Sequence, residues 1–244
     1  ARYAWAHCWG DALTAQDSEP VELLRHGGRT VLFSRAQLDA APDAAWFGRD
    51  GAVLARGRGA ARRIADVRGD IVIRHYFRGG FIGRLIRDHY VYAGLAATRP
   101  WREFHLLLRA QRLGLPAPVP VAAQIVRAGL FYGGDLAMRM IVGSETLSAV
   151  AARGFDAVDW SAVGRCIALF HRHGFDHADL NAHNVLLQDD KVWIVDWDRG
   201  AVREPGAWQA GNVARLERSL RKLFPTRLAS GAREWQALLM AYRA

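Results

Sequence analysis

The sequence contains little cysteine, little lysine and no long apolar run, and each shortage narrows the class of protein. Its two cysteines, Cys8 and Cys166, lie far apart and belong to no metal-binding or redox motif, as is typical of a reducing compartment. No apolar run approaches the length of a membrane span, and the first residues do not follow the pattern of a signal peptide. The sequence therefore predicts neither a disulfide framework nor a membrane-spanning helix.

Lysine occurs only at Lys191 and Lys222, so arginine carries nearly all of the positive charge. The formal net charge of +9 and the isoelectric point near 10.3 imply an anionic partner: nucleic acid, a nucleotide or an acidic membrane surface. Composition does not choose among these three. With 244 residues, of which 51% are hydrophobic, the chain can bury a substantial core in one large domain or in two lobes.

A predicted hairpin late in the chain is its most informative feature. Two apolar, β-branched runs, residues 185–187 and 192–197, flank the polar segment 188–191, which predicts a strand, a tight turn and a second strand. Such a hairpin brings its open ends together, so Asn184 and Asp196 should face each other although twelve positions separate them. Amide and carboxylate oxygens are hard ligands, so this pair predicts a Mg²⁺ site.

Asp179 precedes Asn184 by five positions, where its carboxylate can accept a proton from a hydroxyl while the metal holds the phosphate being transferred. The order matches the protein-kinase pattern of His-x-Asp, Asn five positions after the Asp, and Asp at the end of a later strand. In the plainer interpretation these are turn residues beside a buried hairpin. The joint spacing favours phosphoryl transfer.

A zinc site is another interpretation of this region, because four histidines cluster there: His171, His173, His177 and His183. No cysteine or glutamate lies at ligand spacing beside them, and their intervals do not repeat a zinc pattern. We therefore expect His177 to be a structural residue of the loop and the other three to face solvent.

Glycine and arginine upstream are the candidates for contacts to nucleotide phosphates. Gly57 and Gly59 lie between two predicted strands, where backbone N–H groups can approach phosphates, although the pattern fits a plain hairpin turn equally well. In the next predicted strand, residues 70–76, a kinase carries a lysine, but no lysine precedes Lys191. Arg74 is the candidate for that role, because arginine presents two donors to a phosphate.

Glu103 is the candidate partner for Arg74. It lies on a predicted helix that has Pro100 in its first turn and ends at Gly114, and it borders the apolar stripe of that helix. The alternative is a solvated glutamate at the helix edge.

Two other segments complete the predicted organisation. Residues 143–145 are predicted to connect two lobes, with Glu145 a candidate contact for the nucleotide ribose. Residues 77–90 predict a basic amphipathic helix that either lies on an anionic membrane or packs on its own lobe. The remaining predicted elements are strands at residues 121–127 and 135–142 joined by a Gly133-Gly134 turn, and helices at residues 147–153, 160–173, 207–224 and 232–242.

Six stretches between residues 55 and 200 together resemble a known family. They are Arg74-His75-Tyr76, Arg78-Gly79-Gly80, Arg102-Glu103-Phe104, Leu115-Pro116-Ala117-Pro118, Asp179-Leu180-Asn181-Ala182-His183-Asn184 and Val195-Asp196-Trp197-Asp198. The family is the 3-deoxy-D-manno-octulosonic acid (Kdo) kinases of the lipopolysaccharide kinase group. The resemblance implies an α+β, protein-kinase-like bilobal fold, with an antiparallel-sheet N-lobe at residues 1–142 and a mainly helical C-lobe at residues 143–244.

The same resemblance implies a reaction and a place for it. We expect ATP- and Mg²⁺-dependent phosphorylation of a Kdo sugar on nascent lipid A core, by a protein bound peripherally at the cytoplasmic face of a Gram-negative inner membrane. The expected partners are a lipid-linked Kdo acceptor and the anionic membrane surface, without nucleic acid.

The chain departs from protein kinases in three places. Arg74 replaces lysine, Asn181 stands where lysine usually follows the catalytic Asp by two positions, and residues 196–198 read Asp-Trp-Asp in place of Asp-Phe-Gly. The charge lost at Asn181 predicts that an arginine, Arg199 or Arg78, replaces it. Two alternatives stay open: a kinase of another small hydroxylated molecule such as heptose or an aminoglycoside, and an inactive kinase-like protein that binds anionic lipid or RNA.

Overall fold

The computed structural model describes residues 21–55, 61–76, 90–227 and 232–244. The chain divides into two compact units. The first extends to Trp101 and also includes Pro120–Arg139, and the second comprises Arg102–Val119 and Met140–Ala244.

This division lies close to the predicted lobe boundary after residue 142, but the segment Arg102–Val119 belongs to the second unit. One backbone contact shows why. The N–H group of Ile194 donates to the carbonyl of Pro116 over 3.0 Å, which fastens the end of the segment to a strand of the second unit.

An antiparallel sheet forms the first unit, with strand order β1-β2-β7-β8-β5-β4-β3 and with β6 paired to β8. The described strands are β1 Val21–His26, β2 Arg29–Ser34, β3 Ala52–Ala55, β4 Ala61–Ile64, β5 Ile71–His75, β6 Tyr90–Val91, β7 Pro120–Ala128 and β8 Phe131–Arg139. A short helix, α1 Ala44–Phe47, follows β2, and the carboxylate of Asp43 caps it by accepting a hydrogen bond from the Trp46 N–H group.

The core of the first unit lies on the sheet face that α1 covers. Ile71 and Ile73 of β5 lie two positions apart, so they share one face of the strand, and both are fully buried there. The strand predicted for residues 70–76 is confirmed as Ile71–His75. The cluster comprises Val31, Phe33, Leu38, Trp46, Phe47, Ile64, Ile71, Ile73, Val121, Ala122 and Ala137.

The β7–β8 hairpin corrects one prediction. The chain turns at Gly129, whose φ is +60°, rather than at Gly133-Gly134, which lie inside β8. A Cβ atom at Gly134 would come 2.5 Å from the carbonyl oxygen of Gln124 and 2.8 Å from the ring of Pro100. Glycine is therefore needed at this position for close packing and not for a turn.

Helices dominate the second unit, together with two small antiparallel sheets, β10-β13 and β12-β11-β9. Helix α2 ends at Arg112 and the chain then passes through Gly114 at φ +63°, as predicted. The elements are α2 Arg99–Arg112, whose first three residues belong to the first unit, β9 Glu145–Thr146, α3 Leu147–Arg153, α4 Trp160–Arg172, β10 Phe175–His177, β11 Val185–Gln188, β12 Lys191–Ile194, β13 Gly200–Val202, α5 Ala207–Leu223 and α6 Arg233–Arg243. Among the described helices, none combines the length and the apolar character that crossing a membrane would require.

Candidate active site

The loop between β10 and β11 carries Asp179 and Asn184, and the second unit holds it on several sides. Leu180 and Ala182 are buried and anchor it in the core. The carbonyl of Ala182 accepts a hydrogen bond from the Ser148 N–H group, and its own N–H group donates to the hydroxyl of Ser219 on α5. The loop is thus fixed between α3 and α5.

Within the loop, the carbonyl oxygen of Asp179 accepts two side-chain hydrogen bonds. The Nδ2 atoms of Asn181 and Asn184 donate to it over 2.8 and 3.0 Å. Because the nitrogen of the Asn184 amide is used in this way, its oxygen is the atom left to meet a cation. Asn181 has a second task, since its Oδ1 accepts from the His183 N–H group over 2.9 Å.

The β11–β12 hairpin brings Asp196 to the same place. Val185 pairs with Ile194, and the N–H group of Val195 donates to the Asn184 carbonyl over 2.9 Å, so the next residue, Asp196, lies at the open end of the hairpin. This confirms the predicted hairpin, in which Asp189 occupies the turn at φ +51°.

The second strand is shorter than predicted. It ends at Ile194, and Asp196 adopts the left-handed conformation with φ +65° and ψ 62°, which Asp tolerates better than most residues. Trp197 therefore begins a 3₁₀ turn, Trp197–Arg199, and does not continue the strand. The left-handed backbone at Asp196 ends the extended direction of the strand, so Asp196 does not continue the alternation of side chains along β12.

Oxygen ligands from Asn184 and Asp196 fit Mg²⁺ better than zinc. Mg²⁺ usually keeps several waters and takes one or two carboxylates plus substrate phosphates. In the described part of the chain, no group of three or more His, Cys, Asp or Glu side chains is arranged to hold a metal ion. A Mg²⁺ site formed by Asn184 and Asp196 therefore stays a prediction, to which these two residues would supply only part of the ligands.

Arg215 of α5 reaches the side chain of Asp179. Its Nε and Nη2 atoms both donate to Oδ1 of Asp179, over 2.9 and 2.6 Å. The two side chains are 42% and 40% exposed, so solvent screens the pair and it contributes little to folding. One carboxylate oxygen is thereby engaged, and no described residue donates a hydrogen bond to Oδ2.

Sequence reasoning missed Arg215, because it lies 36 positions after Asp179 on a helix with several arginines. No local spacing connects the two residues. The predicted replacement for the missing lysine was Arg199 or Arg78. Arg199 is exposed in the 3₁₀ turn, and Arg78 lies outside the described residues.

His177 is a buried residue that connects the loop to the hairpin, as predicted for a structural residue. It is 3% exposed, and burial lowers the pKa of its imidazole, so the ring is neutral and its Nε2–H group donates to the Val195 carbonyl over 2.9 Å. Trp197 packs against it with ring centroids 4.6 Å apart and lies 4.9 Å from the Phe170 ring. The large residue in the Asp-Trp-Asp stretch thus fills the core beneath the site.

One histidine expectation was wrong. His171 is 4% exposed and its Nδ1 atom lies 2.8 Å from the Tyr242 hydroxyl, whereas His173 and His183 are exposed as predicted. Burial lowers the pKa of His171 to about 4, so it is neutral and joins α4 to α6. His171 therefore has a structural role in the packing of α4 against α6.

Asn212 of α5 connects the loop to the helix behind it. Its Oδ1 accepts from the His177 N–H group over 2.8 Å, and its Nδ2 donates to the carboxylate of Asp176 and the carbonyl of Trp208, each over 2.9 Å. Asn212 is 5% exposed. Asn212→Ala leaves buried polar groups without these partners, and we expect it to lower the free energy of unfolding by about 1–3 kcal/mol in urea titrations.

Gln236→Ala is the matched control for that substitution, because it removes an exposed amide from α6 and is expected to change stability by less than about 0.5 kcal/mol. Equal stability of the Asn212→Ala protein and the control would contradict a supporting role for Asn212.

Glu145 lies in β9 opposite Leu187 of the hairpin. Its carboxylate accepts a hydrogen bond from Arg153 over 2.8 Å, and this hydrogen bond lowers the pKa of the exposed carboxyl. A ribose contact at Glu145 stays a prediction, and it would have to compete with Arg153.

Arg74 and Glu103, the predicted phosphate-binding pair, belong to different units. Arg74 of β5 pairs with Leu136 of β8, and its Nη2 atom donates to the Tyr76 hydroxyl over 3.2 Å. Glu103 of α2 is 2% exposed, so the alternative of a solvated helix-edge glutamate is wrong. Their pairing stays a prediction.

Three predictions fall outside the described residues wholly or in large part. Gly57 and Gly59 lie there, as does nearly all of the amphipathic stretch at residues 77–90.

The chain is similar to several known proteins. Residues 45–242 match the model of the lipopolysaccharide kinase (Kdo/WaaP) family. A 3-deoxy-D-manno-octulosonic acid kinase of Xylella fastidiosa is 42% identical over 200 residues, covering 81% of this chain and 80% of the relative. A kinase of the same name from Stenotrophomonas maltophilia is 44% identical over 172 residues, covering 68% of each.

A solved structure titled "WaaP in complex with acyl carrier protein" superposes with a TM-score of 0.54. It covers 82% of this chain and 84% of that chain at 18% sequence identity. At this identity the likeness concerns the fold, and it supports the predicted α+β kinase-like class.

Proposed function

The chain belongs to the lipopolysaccharide kinase (Kdo/WaaP) family and is a phosphotransferase, and we propose that it transfers the γ-phosphoryl group of ATP to a hydroxyl of a Kdo sugar on a lipid A precursor. One observation carries the proposal. Asp179 and Asn184 lie on one loop and are joined by a hydrogen bond, and Asp196 lies at the open end of the hairpin that begins after Asn184. These are the three positions that a phosphoryl-transfer site requires.

Asp179 acts as the general base in this proposal. Arg215 occupies Oδ1, so Oδ2 receives the hydrogen bond of the acceptor hydroxyl. Oδ2 takes the hydroxyl proton as the hydroxyl oxygen attacks the γ-phosphorus, and the bond from that phosphorus to the bridging oxygen breaks to release ADP. The asparagine contacts to the Asp179 carbonyl fix the backbone beneath the base. Its carboxylate is therefore positioned before substrate arrives.

Asn184 and Asp196 would hold Mg²⁺ through their side-chain oxygens. When bound, the ion would offset the negative charge that develops on the transferred phosphoryl group. Asn184 fits this role because the hydrogen bond to Asp179 fixes its amide with the oxygen available.

Arg215 has two roles in the proposed mechanism. It holds Asp179 in one orientation, and it supplies positive charge beside the base, where protein kinases carry the lysine that Asn181 replaces. Asn181 cannot carry charge, and its amide is used to fold the loop.

The nucleotide contacts in the proposal are those predicted from the sequence. Arg74, oriented by Glu103, would hold the ATP phosphates, Gly57 and Gly59 would cover them, and Glu145 would contact the ribose. Arginine suits the phosphate role because its charge persists at every physiological pH.

The proposed place of the reaction is the cytoplasmic face of the bacterial inner membrane, with the protein attached peripherally. One observation supports it, since the net charge of +9 favours an anionic surface. The lipid acceptor of the proposed reaction would place the protein at the same membrane.

Transfer of label from radiolabelled ATP tests the proposal. With Mg²⁺ present, we expect label on a Kdo-bearing lipid A precursor and none on the same precursor without Kdo. Soluble heptose and an aminoglycoside serve as competing acceptors.

Each alternative has its own outcome in this assay. Label on heptose or the aminoglycoside in preference to Kdo would replace the proposed acceptor. No label on any acceptor, with a flat thermal shift in Mg²⁺ATP, would identify a kinase-like binding protein without activity.

A further inference from the structure

One end of the sheet in the first unit exposes apolar side chains beside arginines. The β1–β2 turn, the β7–β8 turn and the segment after β6 meet there. The N–H group of Arg127 donates to the Gly28 carbonyl, and that of Tyr92 to the Leu130 carbonyl, both over 2.8 Å. We name this surface the sheet tip and define it by Arg25, Arg29, Val91, Val126, Arg127 and Leu130.

The apolar side chains of the sheet tip are strongly exposed. Leu130 is 74% exposed, Val91 66% and Val126 38%. Side chains directly opposite each other on paired strands share a face. Val126 lies opposite Arg29, so these two share a face. Val91 lies opposite Phe131, and Phe131 lies opposite Ala128. Because Ala128 is two positions after Val126 on the same strand, Val91 is on that face as well. A single exposed apolar side chain is ordinary on a protein surface, but here three exposed apolar side chains lie at the same end of one sheet.

Two arginines of the sheet tip lie on the opposite face and line a cavity of about 170 Å³, together with Thr30 and Tyr92. The guanidinium carbon of Arg127 is 4.6 Å from the centroid of the Tyr92 ring, and its Nε atom donates to the Gly129 carbonyl over 2.9 Å. The Arg127 side chain is thus held in place beside Arg25. Two guanidinium groups and a threonine hydroxyl suit a phosphate group.

Charge of one sign dominates this end of the sheet. The stretches that form it, residues 24–30, 90–95 and 125–134, contain three arginines and no acidic residue. A second copy of the chain would bring these arginines against their own counterparts, which is unfavourable. An anionic bilayer matches both features, because apolar side chains enter its acyl region while arginines contact lipid phosphates.

We propose that the sheet tip docks on a bilayer that contains anionic phospholipid. Leu130, Val91 and Val126 enter the lipid, and Arg25 and Arg127 hold a headgroup phosphate in the cavity between them. The inference rests on the proposed function only insofar as a lipid-linked acceptor makes docking useful.

Co-sedimentation of the full chain with vesicles tests the docking surface. We expect binding to vesicles of phosphatidylglycerol and phosphatidylcholine and much weaker binding to phosphatidylcholine alone. Each arginine near an anionic surface contributes about fivefold in affinity, so Arg25→Gln with Arg127→Gln should weaken binding about 25-fold. Leu130→Ser changes no charge and should weaken it about tenfold or more.

A double variant with the same loss of charge, Arg112→Gln with Arg172→Gln, removes exposed arginines of α2 and α4 and is expected to bind almost as wild type. Asp179→Asn should bind vesicles normally while losing phosphoryl transfer, which separates failure of the docking surface from failure of the proposed function. Three results would overturn the inference: equal binding to both vesicle types, equal loss in the two double variants, or a dimer in solution that Leu130→Ser dissociates.

Discussion

Asp179→Asn is expected to lower kcat for Kdo phosphorylation by about 10²–10⁴ or more while the protein stays folded. The amide keeps the size of the carboxylate but cannot accept the proton of the acceptor hydroxyl. Because the Asp179–Arg215 pair is about two-fifths exposed, its loss should change stability by no more than about 1 kcal/mol. Initial rates with saturating ATP and acceptor measure the effect, and circular dichroism melting checks the fold.

Asp189→Asn is the matched control, since it removes the same charge from the exposed turn of the β11–β12 hairpin that follows the loop, where asparagine also tolerates φ +51°. The control should retain activity. An Asp179→Asn enzyme with unchanged turnover, at equal melting temperature, would remove Asp179 from the mechanism and leave the hairpin as a structural element.

The hairpin beside the candidate site was predictable because its geometry is local. A hairpin with a two-residue turn closes over a short stretch, so two apolar, β-branched runs and the turn residues between them were enough to predict it. The prediction set Asn184 opposite Asp196, and the structure bonds the Asn184 carbonyl to the N–H group of the preceding residue, Val195. The point where β12 ends was not predictable in this way. The left-handed backbone at Asp196 and the burial of Trp197 depend on the core formed by Phe170 and Phe175, which is a tertiary property.

The remaining errors have the same origin. A Gly-Gly pair usually indicates a turn, but Gly134 is required because Gln124 of the paired strand β7 and Pro100 of α2 approach it closely. His171 was expected in solvent because the four clustered histidines follow no zinc pattern, yet it is buried with a hydrogen bond to Tyr242. Neither contact changes the pattern of apolar and polar residues around Gly134 or His171, so neither could be predicted from the sequence.

Arg215→Ala is expected to lower kcat about 10²-fold with little change in KM. The substitution removes both hydrogen bonds to Oδ1 of Asp179, and a base that is misplaced by about 1 Å can cost that much in rate. It also removes positive charge beside the transferred group. Arg215→Lys keeps the charge but loses the two-pronged contact, so it should recover part of the rate. Arg218→Ala, an exposed arginine on the same helix, is the control.

A double-mutant cycle separates positioning of the base from a general effect on the fold. If Arg215 acts through Asp179, adding Arg215→Ala to Asp179→Asn should lower kcat far less than it does in the wild-type enzyme, because the group it orients is already gone. A purely structural role predicts additive losses and a lower melting temperature in every background. Any loss that persists in the double variant measures the charge that Arg215 places beside the phosphoryl group, independently of the base.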